Sequence, residues 1–145
     1  MRRLRRSRRG IQLTYYIMKG YITNMEKETI ENENYRKVLY TGKYSQLVLM
    51  TIQPGDEIGA EVHTLDQFIR IEAGKANVTL DGVEHTLSKD WAVIIPAGTN
   101  HNVVNTGDEP LRLYSIYSPA EHKDGTIHKT KADDVEEHFD GITTE

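Results

Sequence analysis

From residue 35 to residue 117, apolar and polar positions alternate in short runs separated by glycine, proline and aspartate. That period of two, with turn residues between the runs, is the pattern of strands rather than helices. Residues 35–41 and 45–52 are rich in Tyr, Val and Leu and flank Gly42-Lys43, so they predict a hairpin. Pro54-Gly55 breaks the second strand, a strand resumes over 62–71, and Gly74 ends it. Residues 77–80 and 83–87 flank Asp81-Gly82, a type I′ hairpin signal because both turn positions need φ > 0. Further strands are expected over 91–95, 101–105 and 111–117. Strands at this spacing, with no helix between them, predict an all-β sandwich or barrel. Beyond it, 119–130 reads as polar loop. Residues 131–139 (KADDVEEHF) predict a short C-terminal helix whose only apolar face is Val135 and Phe139.

Length and charge refine this outline. At 145 residues the chain is expected to hold one domain. We read it as an extension over 1–17, a barrel over 18–118 and a tail over 119–145. Residues 1–17 carry six arginines and no acid, leaving 12 basic against 22 acidic residues from Met18 onward, a balance of −10. A basic arm can tether a protein to nucleic acid or membrane. Here the arm is read as sequence translated from a misplaced upstream start, expected to be disordered, and neither nucleic acid nor membrane is expected as a partner. No apolar run approaches the roughly 20 residues that span a bilayer, and the expected location is the cytoplasm. With no cysteine, disulfides, thiolate nucleophiles and thiolate metal sites are excluded.

The candidate chemistry is in two short clusters. Glu61, His63 and Gln67 stand in PGDEIGAEVHTLDQFIRIEAG, and His101 in PAGTNHNVVN. On continuous extended chain the first three share one face, since side chains alternate with period two. His101, opening another strand, is the best candidate to meet them across a fold. His85, His122, His128 and His138 are read as surface or solvated histidines.

The two clusters resemble the paired motifs of the cupin superfamily. Gly55, Glu61, His63, Gln67 and Gly74 keep the spacing of the first motif, and Pro96, Gly98, His101 and Asn105 that of the second. Asp90 stands where the second motif opens with glycine. The resemblance covers roughly residues 42–117 and implies a jelly-roll barrel, the double-stranded β-helix. It also implies a divalent metal (Mn, Fe, Zn or Ni) at Glu61, His63, Gln67 and His101. Cupin sites most often use three histidines and a glutamate. Here an acid replaces the first histidine and an amide replaces the acid, so the ligand charge stays at −1 while the donors change.

The fold hosts many chemistries. The expected function is metal-dependent action on, or binding of, a small sugar or oxygen-rich organic acid. The stretch 66–70 is similar to one in proteins labelled mannose-6-phosphate isomerase-like. If the protein is an enzyme, a metal-dependent isomerase or oxygenase is expected; the alternative is a non-catalytic binding or sensing barrel. No catalytic acid or base is assigned, because the motifs leave no spare carboxylate or histidine; Tyr40, Tyr114 and Tyr117 are candidate donors at the barrel mouth. Arg70, the only basic residue near the motif, is expected to face outward. Exposed strand edges predict a homodimer.

Overall fold

A computed structural model describes residues 2–7, 10–15, 17–135 and 137–145. The strands are β1 (Arg2–Ser7), β2 (Gly10–Tyr15), β3 (Arg36–Thr41), β4 (Gln46–Ile52), β5 (Asp66–Ala73) and β6 (Lys75–Leu80). They continue as β7 (Val83–Ser88), β8 (Ala92–Ile95), β9 (His101–Asn105), β10 (Leu111–Ser118) and β11 (Ile127–His128), with one α-helix among the described residues, α1 (Met25–Glu31). One sheet runs β11-β3-β4-β10-β5-β8 and a smaller one β7-β6-β9, and every strand pairing is antiparallel. Alternate residues of both sheets, among them Val48, Met50, Ile69, Ile71, Val78, Val103 and Leu113, enclose a single apolar core. This is the expected all-β jelly roll.

The expected hairpins form, and the turns use the residues foreseen for them. Asp81 and Gly82 both have positive φ, 47° and 83°. Gly74, at φ +90°, passes so close to Leu111 that an added Cβ would lie 3.0 Å from the Leu111 Cα and the Pro110 carbonyl oxygen. Asp90, in the place of a motif glycine, holds φ 73°. Aspartate tolerates this left-handed region better than most residues, and Arg70 donates to its carboxylate.

Three features stand beside the expectations. First, within 1–17 the described residues of β1 and β2 pair as a hairpin with Leu4 opposite Leu13. Met1, Arg8, Arg9 and Tyr16 lie outside the described residues. Second, α1 was not foreseen. Its signals were present, however: Asn24 accepts from the Lys27 N–H as an N-cap, and Glu26 and Glu28 sit in the first turn. Third, of the C-terminal helix only one 3-10 turn forms, Lys131–Asp133. Val135 is exposed and Phe139 only partly buried, so the expected apolar face does not pack as a unit. The tail lies instead across the barrel mouth, where the Phe139 N–H donates to the Glu121 carbonyl and the Thr144 N–H to that of Thr41.

Candidate metal centre and the cavity beside it

Glu61 and His63 do not share one strand with Gln67. The strand expected over 62–71 begins only at Asp66, because Glu61 is drawn away to pair with His101. Those two residues exchange both backbone hydrogen bonds, at 2.9 and 3.0 Å. Such a pair places both side chains on the same face of the ladder. The His63 carbonyl accepts from the Gly98 N–H at 2.8 Å, and the Asp66 carboxylate from the Ala97 N–H at 2.9 Å. The two motifs are therefore stitched together by backbone bonds and by the Asp66 carboxylate. Gln67 arrives separately, on β5, between Ile95 of β8 and Tyr117 of β10.

One donor atom each from Glu61, His63 and His101 lie within 4.8 Å of one another. The Glu61 Oε2 is 3.2 Å from His63 Nε2 and 3.8 Å from His101 Nε2. The two imidazole centroids are 5.0 Å apart. The His101 Nδ1 lies 2.9 Å from the Thr99 carbonyl oxygen, which can only accept. Nδ1 therefore carries the proton and the Nε2 lone pair points away from it, the arrangement typical of a ligating histidine. Gln67, buried, donates from Nε2 to the Ser115 hydroxyl at 3.1 Å. His63 Nε2, His101 Nε2 and Gln67 Oε1 are all buried without a hydrogen-bond partner. Buried polar atoms are otherwise nearly always satisfied. The free lone pairs of His101 Nε2 and Gln67 Oε1, with His63 Nε2 paired only to the Glu61 carboxylate, are what a divalent cation satisfies, and the residues fit one.

The surroundings contain groups that were missed. Glu121 Oε1 stands 3.7 Å from His63 Nδ1 and 3.0 Å from His138 Nδ1. A carboxylate beyond the ligands is therefore present, supplied by the tail; the acid–histidine pair Glu121-His122 just after β10 was the available signal. Gln46, almost fully buried, fixes that pair by donating to the His122 carbonyl and accepting from both backbone N–H groups. His122 is not a solvated histidine. Its ring meets Tyr117 edge-on at 5.1 Å and its Nε2 is buried and unpartnered. Burial first, and the Arg36 charge second, push its pKa down to about 3. For His63, burial opposes the charged ring, but the carboxylates of Glu61 and Glu121 outweigh it and the net shift is upward.

Arg36 was not singled out in the sequence, yet its side chain is only 4% exposed. It pairs with Asp134 and reaches His128 Nδ1 at 3.3 Å, so His128 is not solvated either. Arg36, Glu61, His63, Glu121, His122 and Asp134 line one cavity of about 440 Å³. Tyr117 does not line the cavity; it is 2% exposed and edge-on to His63 at 5.9 Å. Burial raises its pKa, so its hydroxyl stays protonated. Tyr40 instead donates to Glu145 outside the barrel, and Tyr114 lies on the opposite face of β10, against Phe68. Arg70 is on the outer side with Glu72 and Asp90, and His85 is exposed, both as expected. Among the described residues no helix is long and apolar enough to cross a membrane.

Comparison with known proteins agrees with this geometry. Residues 48–117 match the family model described as the cupin domain. The chain is 42% identical over 134 residues to the uncharacterized protein YrkC of Bacillus subtilis, covering 88% of this chain and 72% of that one. An uncharacterized protein of Acanthamoeba polyphaga mimivirus is 42% identical over 113 residues, covering 74% of this chain and 70% of that protein. A crystal structure of a protein from Bacillus halodurans superposes with TM-score 0.78 at 45% identity, over 79% of this chain and 92% of that one. With both motifs brought together by the fold and relatives matched over most of their length, the chain belongs to the cupin family.

Proposed function

We propose that the protein is a metal-dependent cupin that acts on a small oxygen-rich molecule, a sugar or an organic acid. The observation that carries this reading is the set of orphaned buried atoms, His63 Nε2, His101 Nε2 and Gln67 Oε1, next to the Glu61 carboxylate. Glu61, His63 and His101 would hold the ion, with the Gln67 amide oxygen as a weaker fourth donor. Two imidazoles and a carboxylate suit Fe(II), Mn(II), Ni(II) or Zn(II). Such an ion supplies Lewis-acid polarisation of a carbonyl or hydroxyl oxygen.

The chain's own residues supply the rest. Thr99 holds the His101 tautomer through Nδ1. Tyr117 packs edge-on against the His63 ring and helps to hold it in place. Glu121, beside His63 and bordering the cavity, is the carboxylate available to hold or move a proton. Its presence favours catalysis over plain binding, since the motif residues alone leave no such group.

Elemental analysis of protein purified without a metal-affinity column tests the metal. We expect close to one divalent ion per chain in the wild type and about tenfold less or lower in His63→Ala. Equal, near-zero content in both would sink the reading. An isomerisation and oxidation screen on sugars and hydroxy acids, with and without chelator, then separates enzyme from binding module.

A further inference from the structure

The residues around the cavity offer groups of different hydrogen-bonding character. Among the candidate ligands the buried atoms without a hydrogen-bond partner are His63 Nε2, His101 Nε2 and Gln67 Oε1. The same cavity is lined by the Arg36 guanidinium, whose Nε–H is buried without a partner, and by His122, whose Nε2 is also unpartnered. Arg36 is placed there by β3: positions 36 and 38 are buried and 37 is not, so the guanidinium shares the inward face of the strand with Val38. It rests over the Tyr35 ring, its Cζ 5.3 Å from the centroid.

A buried guanidinium must be neutralised by an anion. The group that does so comes from the tail: Asp134 pairs with Arg36 Nη1 and also lies 3.3 Å from His128 Nδ1. Asp134 is a poor permanent partner. Its side chain is 34% exposed, and it follows a single 3-10 turn in a stretch, 129–135, that is exposed throughout. It engages one corner of the guanidinium fork and leaves Nε free, whereas a carboxylate can bridge Arg in bidentate fashion.

We propose that Arg36, with His122 beside it, is the subsite for a carboxylate of the substrate, and that Asp134 is an internal stand-in displaced when the substrate enters. The inference rests on the metal reading above and narrows it. Of the two expected substrate classes, the protein takes an organic acid rather than a neutral sugar, one with oxygen donors for the ion at one end and a carboxylate for Arg36 at the other. Two anchors of opposite demand also fix the direction in which such a molecule lies.

The test is calorimetric titration of L-malate, with D-mannose as the neutral control, into the full-length protein loaded with one equivalent of Mn(II). Removing the internal competitor in Asp134→Asn is expected to tighten malate binding by at least about threefold and leave mannose unchanged. Arg36→Gln is expected to weaken malate binding by about tenfold or more, since it removes a charge-assisted pair. Malate affinity unchanged or weakened in Asp134→Asn overturns the proposal, as does mannose binding as tightly as malate to the wild type. Should Arg36→Gln fail to fold, Asp134→Asn decides alone, because it leaves the guanidinium in place. The metal content is measured before any malate is added. Failure to retain Mn(II) therefore counts against the metal reading, and retention without malate binding counts against the carboxylate subsite only.

Discussion

His63 and His122 line the same cavity, and their surroundings drive their acidities in opposite directions. His63 has two carboxylates for neighbours, which raise it against the effect of burial. His122 has burial and Arg36, which hold it neutral down to about pH 3. The second shift bears on stability. Above the ordinary histidine value of 6.5 the ring is neutral in both folded and unfolded chains and contributes nothing to the pH dependence. Below it the unfolded chain binds a proton that the folded one refuses, so stability falls as pH falls towards 3. One such group gives a slope of up to about 1.4 kcal/mol per pH unit. Urea unfolding midpoints at pH 7.5 and 5 should therefore drop more for the wild type than for His122→Gln; equal drops would mean His122 protonates freely in the fold.

At the scale of elements, the turns were more legible than the segments between them. Asp81-Gly82, Gly74 and Gly98 were readable because a positive φ admits few residue types, and all adopt it. Asp90 shows the limit of that reasoning, since the left-handed conformation was kept although the glycine was not. Gly74 has the added constraint of backbone on both sides of the missing Cβ. Gly74→Ala should cost about 1–3 kcal/mol, from the left-handed conformation and the forced shift of 110–111. A chemical-denaturation difference under about 0.5 kcal/mol would show that the loop yields freely. The segment 62–65 was misread as strand because VHTL satisfies strand propensity locally. What pulls it off β5 is a long-range ladder to His101, and propensity carries no information about partners at that separation.

For the whole molecule, the larger sheet ends at β8, whose outer edge pairs with no strand among the described residues. Its outward positions and the residue before it are apolar: Ile94 is 66% and Trp91 61% exposed. Edge strands of this kind invite pairing with another chain unless protected. We propose a two-fold homodimer through β8, where burying Trp91 and Ile94 would remove apolar surface from water. Light scattering on the wild type should give twice the 16.6 kDa chain mass, and Ile94→Lys should shift it to monomer at micromolar concentration. A wild type that is monomeric at high concentration would refute the dimer.

The sequence by itself determined the barrel, its hairpins and the two clusters of candidate metal ligands, because period-two burial, left-handed turn residues and motif spacing are local properties. Only the tertiary structure decided how those clusters meet, through Glu61–His101 and His63–Gly98 backbone bonds between segments far apart in sequence. It also decided what surrounds them. Arg36 reads as one more polar residue on a strand, and Glu121, His122 and Asp134 read as solvated tail. Their burial and pairing exist only because the tail folds back over the mouth of the barrel, a contact with no local signature.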